Sequence, residues 1–184
     1  LQQAMTDERP DPDDLLEVVK DETHRSKRGQ LKIFFGACAG VGKTFAILQA
    51  ARHFHAEGVA VGIGIVETHG RKDTQELLEG LPVLPRKTMS GNGRPSSEFD
   101  LDGALASGYQ ILVVDELAHT NVAGSRHTKR WQDVEELLDA GIDVLTALNV
   151  QHLDSLNDIV GGIIGIRVRE TVPDSIFDSA TDVV

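Results

Sequence analysis

The segment from residue 37 to residue 44 constrains the fold of this chain more than any other. It reads Ala-Cys-Ala-Gly-Val-Gly-Lys-Thr, follows the apolar run Leu31–Phe35 and leads into a helical pattern. This strand–loop–helix order predicts a phosphate-binding P-loop, because glycines let backbone N–H groups approach an anion closely. The N-terminus of the following helix adds about half a positive charge.

The residue types in this segment predict separate roles. We expect the backbone at Gly40 and Gly42 to surround phosphate groups. We expect Lys43 to reach the β- and γ-phosphates of ATP, and the Thr44 hydroxyl to bind Mg²⁺. The usual first glycine of the motif is replaced by Ala37. The alternative interpretation is a glycine-rich turn in front of an ordinary helix.

A second motif supports the nucleotide interpretation. The apolar run Ile111–Val114 does not alternate with polar residues, which is typical of a strand buried on both faces, and Asp115 and Glu116 follow it directly. Ligands of open parallel sheets bind at this end of the strands. Asp115 would hold Mg²⁺ through water, as in a Walker B motif, and Glu116 is the candidate catalytic residue that polarises an attacking water or hydroxyl. The alternative is an acidic helix cap after a core strand.

Composition narrows the class of protein. The chain has 184 residues with 40% hydrophobic content, which suits one domain with a core and tails. Its net charge of -11 argues against nucleic acid as a partner. The single cysteine, Cys38, excludes an internal disulfide. No apolar run approaches membrane-spanning length and no signal peptide is evident, so we expect a cytosolic location.

Apolar runs alternate with helical patterns along the chain. Five strands are predicted, at Leu31–Phe35, Val59–Val66, Ile111–Asp115, Ile142–Leu148 and Ile163–Val168. This order predicts an α/β, three-layer, P-loop NTPase-like domain with a mostly parallel sheet of about five strands and right-handed crossovers. Leu81–Ser97, rich in Pro, Gly and Ser, is predicted to be a long loop with at most one short strand. Asp73 is predicted to cap a short helix, with Glu76 in the reciprocal capping position.

Three segments follow from the pattern. Residues 1–28 are charged and are predicted to form a tail with a short helix beginning near Pro12. Residues 29–172 are predicted to form the P-loop nucleotide-binding domain. Residues 173–184 are predicted to begin a C-terminal element that the chain end truncates, with Pro173 at its start.

The predicted strand Ile142–Leu148 ends in polar residues. In P-loop ATPases with an Asp-Glu pair, one strand lies between the Walker A and Walker B strands, and its polar tip senses the γ-phosphate; by analogy with that class we assign this position to Ile142–Leu148. Asn149, Gln151 or His152 would then distinguish ATP from ADP. The alternative role for Asn149 is that of a helix N-cap.

Further charged residues have two interpretations each. Glu67 and Arg71 follow the second predicted strand, at the ligand edge of the sheet, where Arg71 would meet phosphate and Glu67 would act as a second base; a solvated loop is the alternative. Arg126 and Arg130 are candidates for an arginine finger. Their alternative role is a pair of surface salt bridges.

Six blocks of sequence go beyond a generic P-loop. In chain order they are Gly36–Thr44, Glu67–Arg71, Asp115–Asn121, Gly124–Asp133, Asn149–Leu153 and Arg169–Pro173. In residue identity, order and spacing they closely resemble the N-terminal cytoplasmic domain of the osmosensitive potassium-channel sensor histidine kinases of the KdpD type. The resemblance extends from about Gly29 to the C-terminus.

The resemblance implies a bacterial two-component sensor located in the inner membrane, with this part in the cytoplasm. The full chain would add a universal-stress-like domain, four membrane spans and a dimeric histidine-kinase core, and would phosphorylate a response regulator that controls potassium-pump genes. The phospho-accepting histidine would lie outside this chain. The Walker A residues Gly42, Lys43 and Thr44 and the Walker B residue Asp115 carry over from the family.

Three functions are compatible with the sequence. The first is a regulatory module that binds ATP and Mg²⁺ and biases an attached kinase, with the remaining kinase domains, or a second copy in a homodimer, as partners. The second is an ATPase, or a kinase acting on a protein or a small hydroxyl. The third is a docking domain whose P-loop is structural. Phosphate release that depends on Glu116 would separate the first two.

Overall fold

A parallel β-sheet forms the centre of this protein, and the candidate site lies at one of its edges. The computed structural model describes residues 16–17, 20, 22–23, 27–37, 40, 42–91, 94–165 and 168–184. The strands are β1 (Leu31–Gly36), β2 (Val61–Ile65), β3 (Lys87–Gly91), β4 (Arg94–Glu98), β5 (Ile111–Val114), β6 (Asp143–Asn149) and β7 (Asp182–Val183). The helices are α1 (Lys43–Ala56), α2 (Lys72–Leu78), α3 (Leu101–Ala106), α4 (Arg130–Asp139), α5 (Asp154–Ile164) and α6 (Asp174–Asp178), with a 3₁₀ turn at Val150–His152.

The main sheet has the strand order β2-β5-β6-β1-β7, and all its pairings are parallel. In the register, Leu31 pairs with Val144 and Gly36 pairs with Asn149. The prediction that one strand separates the two motif-bearing strands is confirmed, because β6 lies between β1 and β5. The carboxyl ends of these strands therefore meet at one edge of the sheet, where ligands of such sheets bind.

Two apolar clusters, one on each face, make the domain three layers thick. Successive residues of β5 alternate between them: Leu112 and Val114 belong to one cluster, and Ile111 and Val113 to the other. The first cluster includes α3, α4 and α6 and the second includes α1. Every residue of β5 is buried, so its uninterrupted apolar run is explained by burial on both faces. The predicted three-layer α/β architecture is confirmed.

The segment Leu81–Ser97, predicted to be mostly loop, contains an antiparallel hairpin instead. Strands β3 and β4 pair with Met89 opposite Ser96. The dipeptide Asn92-Gly93 in the sequence is a strong hairpin signal that the loop prediction overlooked. Pro95 is tolerated because a two-stranded hairpin consists of edge strands only.

The fifth predicted strand, Ile163–Val168, is wrong. Ile163 and Ile164 belong to α5, residues 166–167 lie outside the described part, and the fifth strand of the sheet is β7. Ile163 is 78% exposed, so this residue lies outside the core. A short apolar run cannot by itself separate a strand from a helix end.

Helix starts were predicted with mixed success. The predicted cap of α2 at Asp73 is wrong: the N-cap is Arg71, and it makes no side-chain capping bond. The N-cap of α3 is Asp100, which also makes no side-chain capping bond. Helix α6 begins directly after Pro173 as expected, but it ends at Asp178 and the chain continues into β7.

Several sequence predictions fall on residues that the structure does not describe. These include Pro12 at the start of the N-terminal helix, and Cys38. Residues 16, 17, 20, 22, 23 and 27 are helical. The proposed domain boundaries remain predictions. Within the described ranges, no helix is both long enough and apolar enough to cross a membrane.

Candidate nucleotide site

A cavity of about 390 Å³ opens at the carboxyl edge of the sheet. Seven of the residues that the sequence singled out for binding, metal or catalysis line it: Gly40, Gly42, Lys43, Thr44, Asp115, Glu116 and Asn149. They come from three separate parts of the chain and are assembled by the strand order β5-β6-β1. The fold therefore brings these residues together, and their binding of a ligand stays a prediction.

Thr44 and Asp115 meet at the base of this cavity. The Thr44 hydroxyl donates a hydrogen bond to Oδ2 of Asp115 over 3.1 Å. The N–H of Glu116 donates to Oδ1 of the same carboxylate over 2.9 Å. Asp115 is only 3% exposed, and burial raises its pKa above the usual aspartate range, while these two hydrogen bonds oppose the rise.

This pair suits a hard divalent cation. A hydroxyl and a carboxylate are oxygen ligands of the kind that Mg²⁺ prefers, with the remaining positions filled by water and phosphate. A cation would also offset the cost of keeping a buried carboxylate ionised. The donor set at Thr44 and Asp115 therefore fits Mg²⁺.

Glu116 adopts an unusual backbone conformation at the wall of the cavity. Its φ is 57°, in the left-handed region, and His69 across from it has φ 49°. His69 Nε2 lies 3.8 Å from Oε1 of Glu116. Non-glycine residues in this region carry strain of order 1–3 kcal/mol and cluster at functional sites. The Glu116 side chain is 42% exposed, so it remains accessible from the cavity.

Asn149 lines the cavity and carries a buried acceptor without a described partner. It occupies the N-cap position of the 3₁₀ turn, as the alternative interpretation supposed, but its side chain makes no capping bond. Its Oδ1 atom is buried and has no hydrogen-bond partner among the described residues. Buried polar atoms normally have a partner, so this oxygen is suited to a ligand donor or a water.

The two proposed arginine fingers lie elsewhere. Arg126 forms surface salt bridges with Asp102 and Glu136, which agrees with the alternative interpretation for this residue. Arg130 is neither a finger nor a surface residue. It is 2% exposed and donates from Nη1 to the backbone carbonyl of Asp115 over 3.0 Å.

Arg130 also lies close to two carboxylates. Its Nη2 is 3.6 Å from Oε2 of Glu98, which is itself buried, and its Nη1 is 3.9 Å from Oε2 of Glu116. Burial lowers the pKa of Arg130, and the charges of Glu98 and then Glu116 oppose that shift. Arg130 therefore supports the strand end that carries Asp115 from behind the cavity wall.

In the loop after β2, the charged residues are paired in a way that the sequence did not reveal. Glu67, a candidate second base, forms a salt bridge with Arg86 at 2.7 Å. Arg86 also donates to the carbonyl of Val66 over 2.8 Å. Glu67 and Arg71 both line the cavity, but the carboxylate of Glu67 is already engaged.

The far end of the cavity contains residues that the sequence analysis did not assign to the site. They are His119 and Glu170, together with His152, which had been considered only as a γ-phosphate sensor. The N–H of Thr120 donates to Oε1 of Glu170 over 2.8 Å, and Nδ1 of His152 lies 2.6 Å from the Glu170 carbonyl oxygen. Burial opposes ionisation of Glu170, but the hydrogen bonds from Thr120 outweigh it and hold its pKa below the usual range. Thr120 and Glu170 are 50 positions apart, and no rule of sequence spacing links residues so distant. The only signal for their proximity was the family resemblance, which included both segments.

Comparison with known proteins gives a consistent result. Residues 27–184 match the family described as the osmosensitive K⁺ channel His kinase sensor domain. Sensor protein KdpD of Escherichia coli is 62% identical over 176 residues, covering 96% of this chain and 19% of the relative. Sensor protein KdpD of Clostridium acetobutylicum is 53% identical over 176 residues, covering 96% and 20%.

A more distant relative shows the same pattern. Sensor protein KdpD of Mycobacterium tuberculosis is 48% identical over 158 residues, covering 86% of this chain and 18% of the relative. The chain thus spans about a fifth of the length of the curated relatives that it matches. Since the family match extends over most of the chain, this protein belongs to the osmosensitive K⁺ channel His kinase sensor domain family.

Proposed function

We propose that this domain binds Mg-ATP and acts as a regulatory part of a two-component sensor histidine kinase that controls potassium-transport genes. The observation that carries the proposal is the Thr44–Asp115 hydrogen bond of 3.1 Å. It lies at the base of a cavity that Gly40, Gly42 and Lys43 also line. A hydroxyl, a buried carboxylate and a lysine beside a glycine loop match what a magnesium–triphosphate group requires.

Each residue has a defined task in this proposal. Thr44 and Asp115 hold the metal, and Lys43 supplies a point charge to the β- and γ-phosphates. Glycine at positions 40 and 42, with φ of 90° and 91°, lets the backbone turn toward the anion. The unsatisfied Oδ1 of Asn149 would hold a water or a ligand donor near the terminal phosphate. A bound Mg²⁺ would neutralise charge on those phosphates.

Regulation, rather than rapid turnover, is the output we propose. Fast P-loop hydrolases use a cation on the transferring phosphoryl group, worth about 10³–10⁵ in rate. Arg126 and Arg130 are both engaged away from the cavity. Nucleotide occupancy would instead bias the domains that the longer relatives contain. On this proposal the domain lies in the cytoplasm, the full-length protein lies in the bacterial inner membrane, and a response regulator receives the signal.

A second candidate is phosphoryl transfer to a hydroxyl of a protein or small molecule. It is favoured by the continuation of the cavity past Glu116 to His119, His152 and Glu170. An acceptor there would approach on the Glu116 side. In that case Mg-ATP turnover by this domain with an acceptor approaches the typical enzyme median of about 10 s⁻¹ and is lost in Glu116→Gln.

Calorimetric titration of the wild type, Lys43→Ala and Lys87→Ala with Mg-ATP tests the binding proposal. Losing a charged hydrogen-bond partner in a partly dry site costs about 2–5 kcal/mol, so Lys43→Ala should weaken binding by roughly thirty-fold or more. Lys87 lies 4.0 Å from Asp102 and outside this cavity, so Lys87→Ala should bind as the wild type does. Equal affinity of Lys43→Ala and the wild type would refute the assignment and favour a docking domain.

A further inference from the structure

Arg71 lies directly against the glycine loop. A methyl group placed on the Cα of Gly40 would be 3.0 Å from Nη2 of Arg71, which is the nearest atom to that position. Both residues line the cavity. The guanidinium therefore extends from the loop after β2 across the cavity to the opposite wall.

The guanidinium of Arg71 has no hydrogen bond or ion pair to any described residue. Five other described arginines bind acceptors, namely Arg28, Arg52, Arg86, Arg126 and Arg130, whereas the exposed Arg169, like Arg71, has no such contact to a described residue. Glu67, the carboxylate of the same loop, is occupied by Arg86. In a chain with a net charge of -11, a cation that finds no acid partner beside a glycine loop is suited to bind an anionic ligand.

The backbone holds Arg71 in place while its side-chain end faces the cavity. Two consecutive left-handed residues, His69 and Gly70, turn the chain just before it, with φ of 49° and 73°. The N–H of Arg71 donates to the carbonyl of Thr68 over 3.0 Å, and its own carbonyl accepts from Gln75 over 3.0 Å. The arginine is thus anchored at the start of α2, and strain in the turn is the kind stored at functional sites.

The strand order decides which phosphate Arg71 meets. Strand β2 is the neighbour of β5, so the loop after β2 lies beside Asp115 and Glu116, and His69 is 3.8 Å from Glu116. A Mg²⁺ held by Thr44 and Asp115 would neutralise charge on the terminal phosphates of ATP. The γ-phosphate would then lie on the Arg71 side of the site.

We propose that Arg71 binds the γ-phosphate of ATP as a ground-state contact, not as a transition-state finger, and that this contact makes the domain distinguish ATP from ADP. The proposal rests on the nucleotide-binding function proposed above and adds a discriminating residue to it. Arginine suits this role because its planar fork can donate two hydrogen bonds to one phosphate. Arg71 reaches the phosphate from β2, whereas Asn149 reaches it from β6.

The test is a titration of the wild type, Arg71→Ala, Arg71→Lys and Lys72→Ala with Mg-ATP and with Mg-ADP. A hydrogen bond to a charged group predicts that Arg71→Ala weakens ATP binding by roughly 10- to 100-fold. ADP binding should change by less than about threefold, because ADP lacks the contacted phosphate. Arg71→Lys keeps the positive charge but loses the planar guanidinium with its two parallel donors, so it should recover only part of the ATP preference. Lys72 is an exposed neighbour outside the cavity, and Lys72→Ala should behave as the wild type does.

The outcomes separate this inference from the broader function. If the wild type binds neither nucleotide, both proposals are refuted. If the wild type binds and Lys43→Ala does not, but Arg71→Ala keeps the full ATP preference, only the role of Arg71 is refuted. Equal losses of ATP and ADP would also refute it, since they would indicate a β-phosphate contact. Arg71 is exposed and has no described partner, so its variants should keep the wild-type melting temperature.

Discussion

Asp115 is the residue at which stability and the proposed function conflict. Its carboxylate is buried, and burial raises its pKa above that of an aspartate in the unfolded chain. A group of this kind contributes its stability at pH values below the unfolded pKa and loses it as the pH rises through the folded pKa. Relative to low pH, this carboxyl group therefore lowers the stability of the ligand-free domain at neutral pH.

Asp115→Asn should accordingly raise the free energy of unfolding at pH 7 while weakening Mg-ATP binding by roughly tenfold or more. The amide retains an acceptor oxygen for the N–H of Glu116, and it removes the charge. Urea denaturation between pH 7 and pH 4 should show the advantage of the variant shrinking as the pH falls. Asp178→Asn, at the exposed end of α6, is the control and should show neither effect. A variant that is less stable than the wild type at every pH would contradict this account.

Among the residues of the site, the sequence identified individual cavity residues better than the contacts between side chains. Lys43, Thr44 and Asp115 were identified because their types and positions after a strand are tied to one function. Arg71 was left open between two roles, since no local pattern shows that Arg86 takes the nearby carboxylate. Arg130 was misjudged because a buried arginine depends on partners distant in sequence.

Strand β2 shows how an element can be shaped by side chains from outside it. Its glycines leave room for two aromatic rings that pack on the sheet. A Cβ at Gly62 would lie 2.5 Å from the ring of Tyr109, and one at Gly64 would lie 2.7 Å from the ring of Phe99. The strand therefore depends on the absence of side chains at these positions.

Gly64→Ala should destabilise the domain by about 1–3 kcal/mol, the usual cost of overpacking. The added methyl group would meet Phe99 and, at 3.1 Å, the carbonyl oxygen of Val113. The matched control is Gly162→Ala in α5, where no atom lies within 4 Å of the added Cβ. That change should stabilise the domain by about 0.5–1 kcal/mol through helix propensity. Urea denaturation of both variants tests the pair, and effects of the same sign would overturn the packing explanation.

At the level of elements, buried strands were predictable and exposed ones were not. Strands β1, β5 and β6 stand out in the sequence because most of their residues are apolar. Strand β7 has two residues, both exposed, and exists only because Val184 and Thr181 bond to β1. The hairpin of β3 and β4 is polar along most of its length, so periodicity offered no signal for it.

Across the whole molecule, Arg130 joins parts of the fold that are otherwise separate. From the start of α4 it reaches Glu98 at the end of the hairpin and the carbonyl of Asp115 at the end of β5. His119 contacts the other oxygen of Glu98 at 2.9 Å. The hairpin, α4 and the cavity wall are thus connected through one guanidinium.

Arg130→Met should cost about 3–5 kcal/mol of stability, because it leaves the buried carboxylate of Glu98 without its cation. Arg126→Met removes an arginine that is 45% exposed and should cost less than about 1 kcal/mol. Both substitutions delete the same charge and keep a similar side-chain length, so the comparison isolates burial. Chemical denaturation gives the two values, and similar costs would mean that the buried network contributes little.

The position of Arg130 has a practical consequence for spectroscopy. The next residue, Trp131, is the single tryptophan of the chain, and its ring packs against the core cluster that includes Leu117 and Val134. Indole emission shifts with local polarity and packing. The domain therefore contains an intrinsic optical probe one residue away from the guanidinium that bonds to the Asp115 carbonyl, and small displacements of that carbonyl can be followed in unlabelled protein.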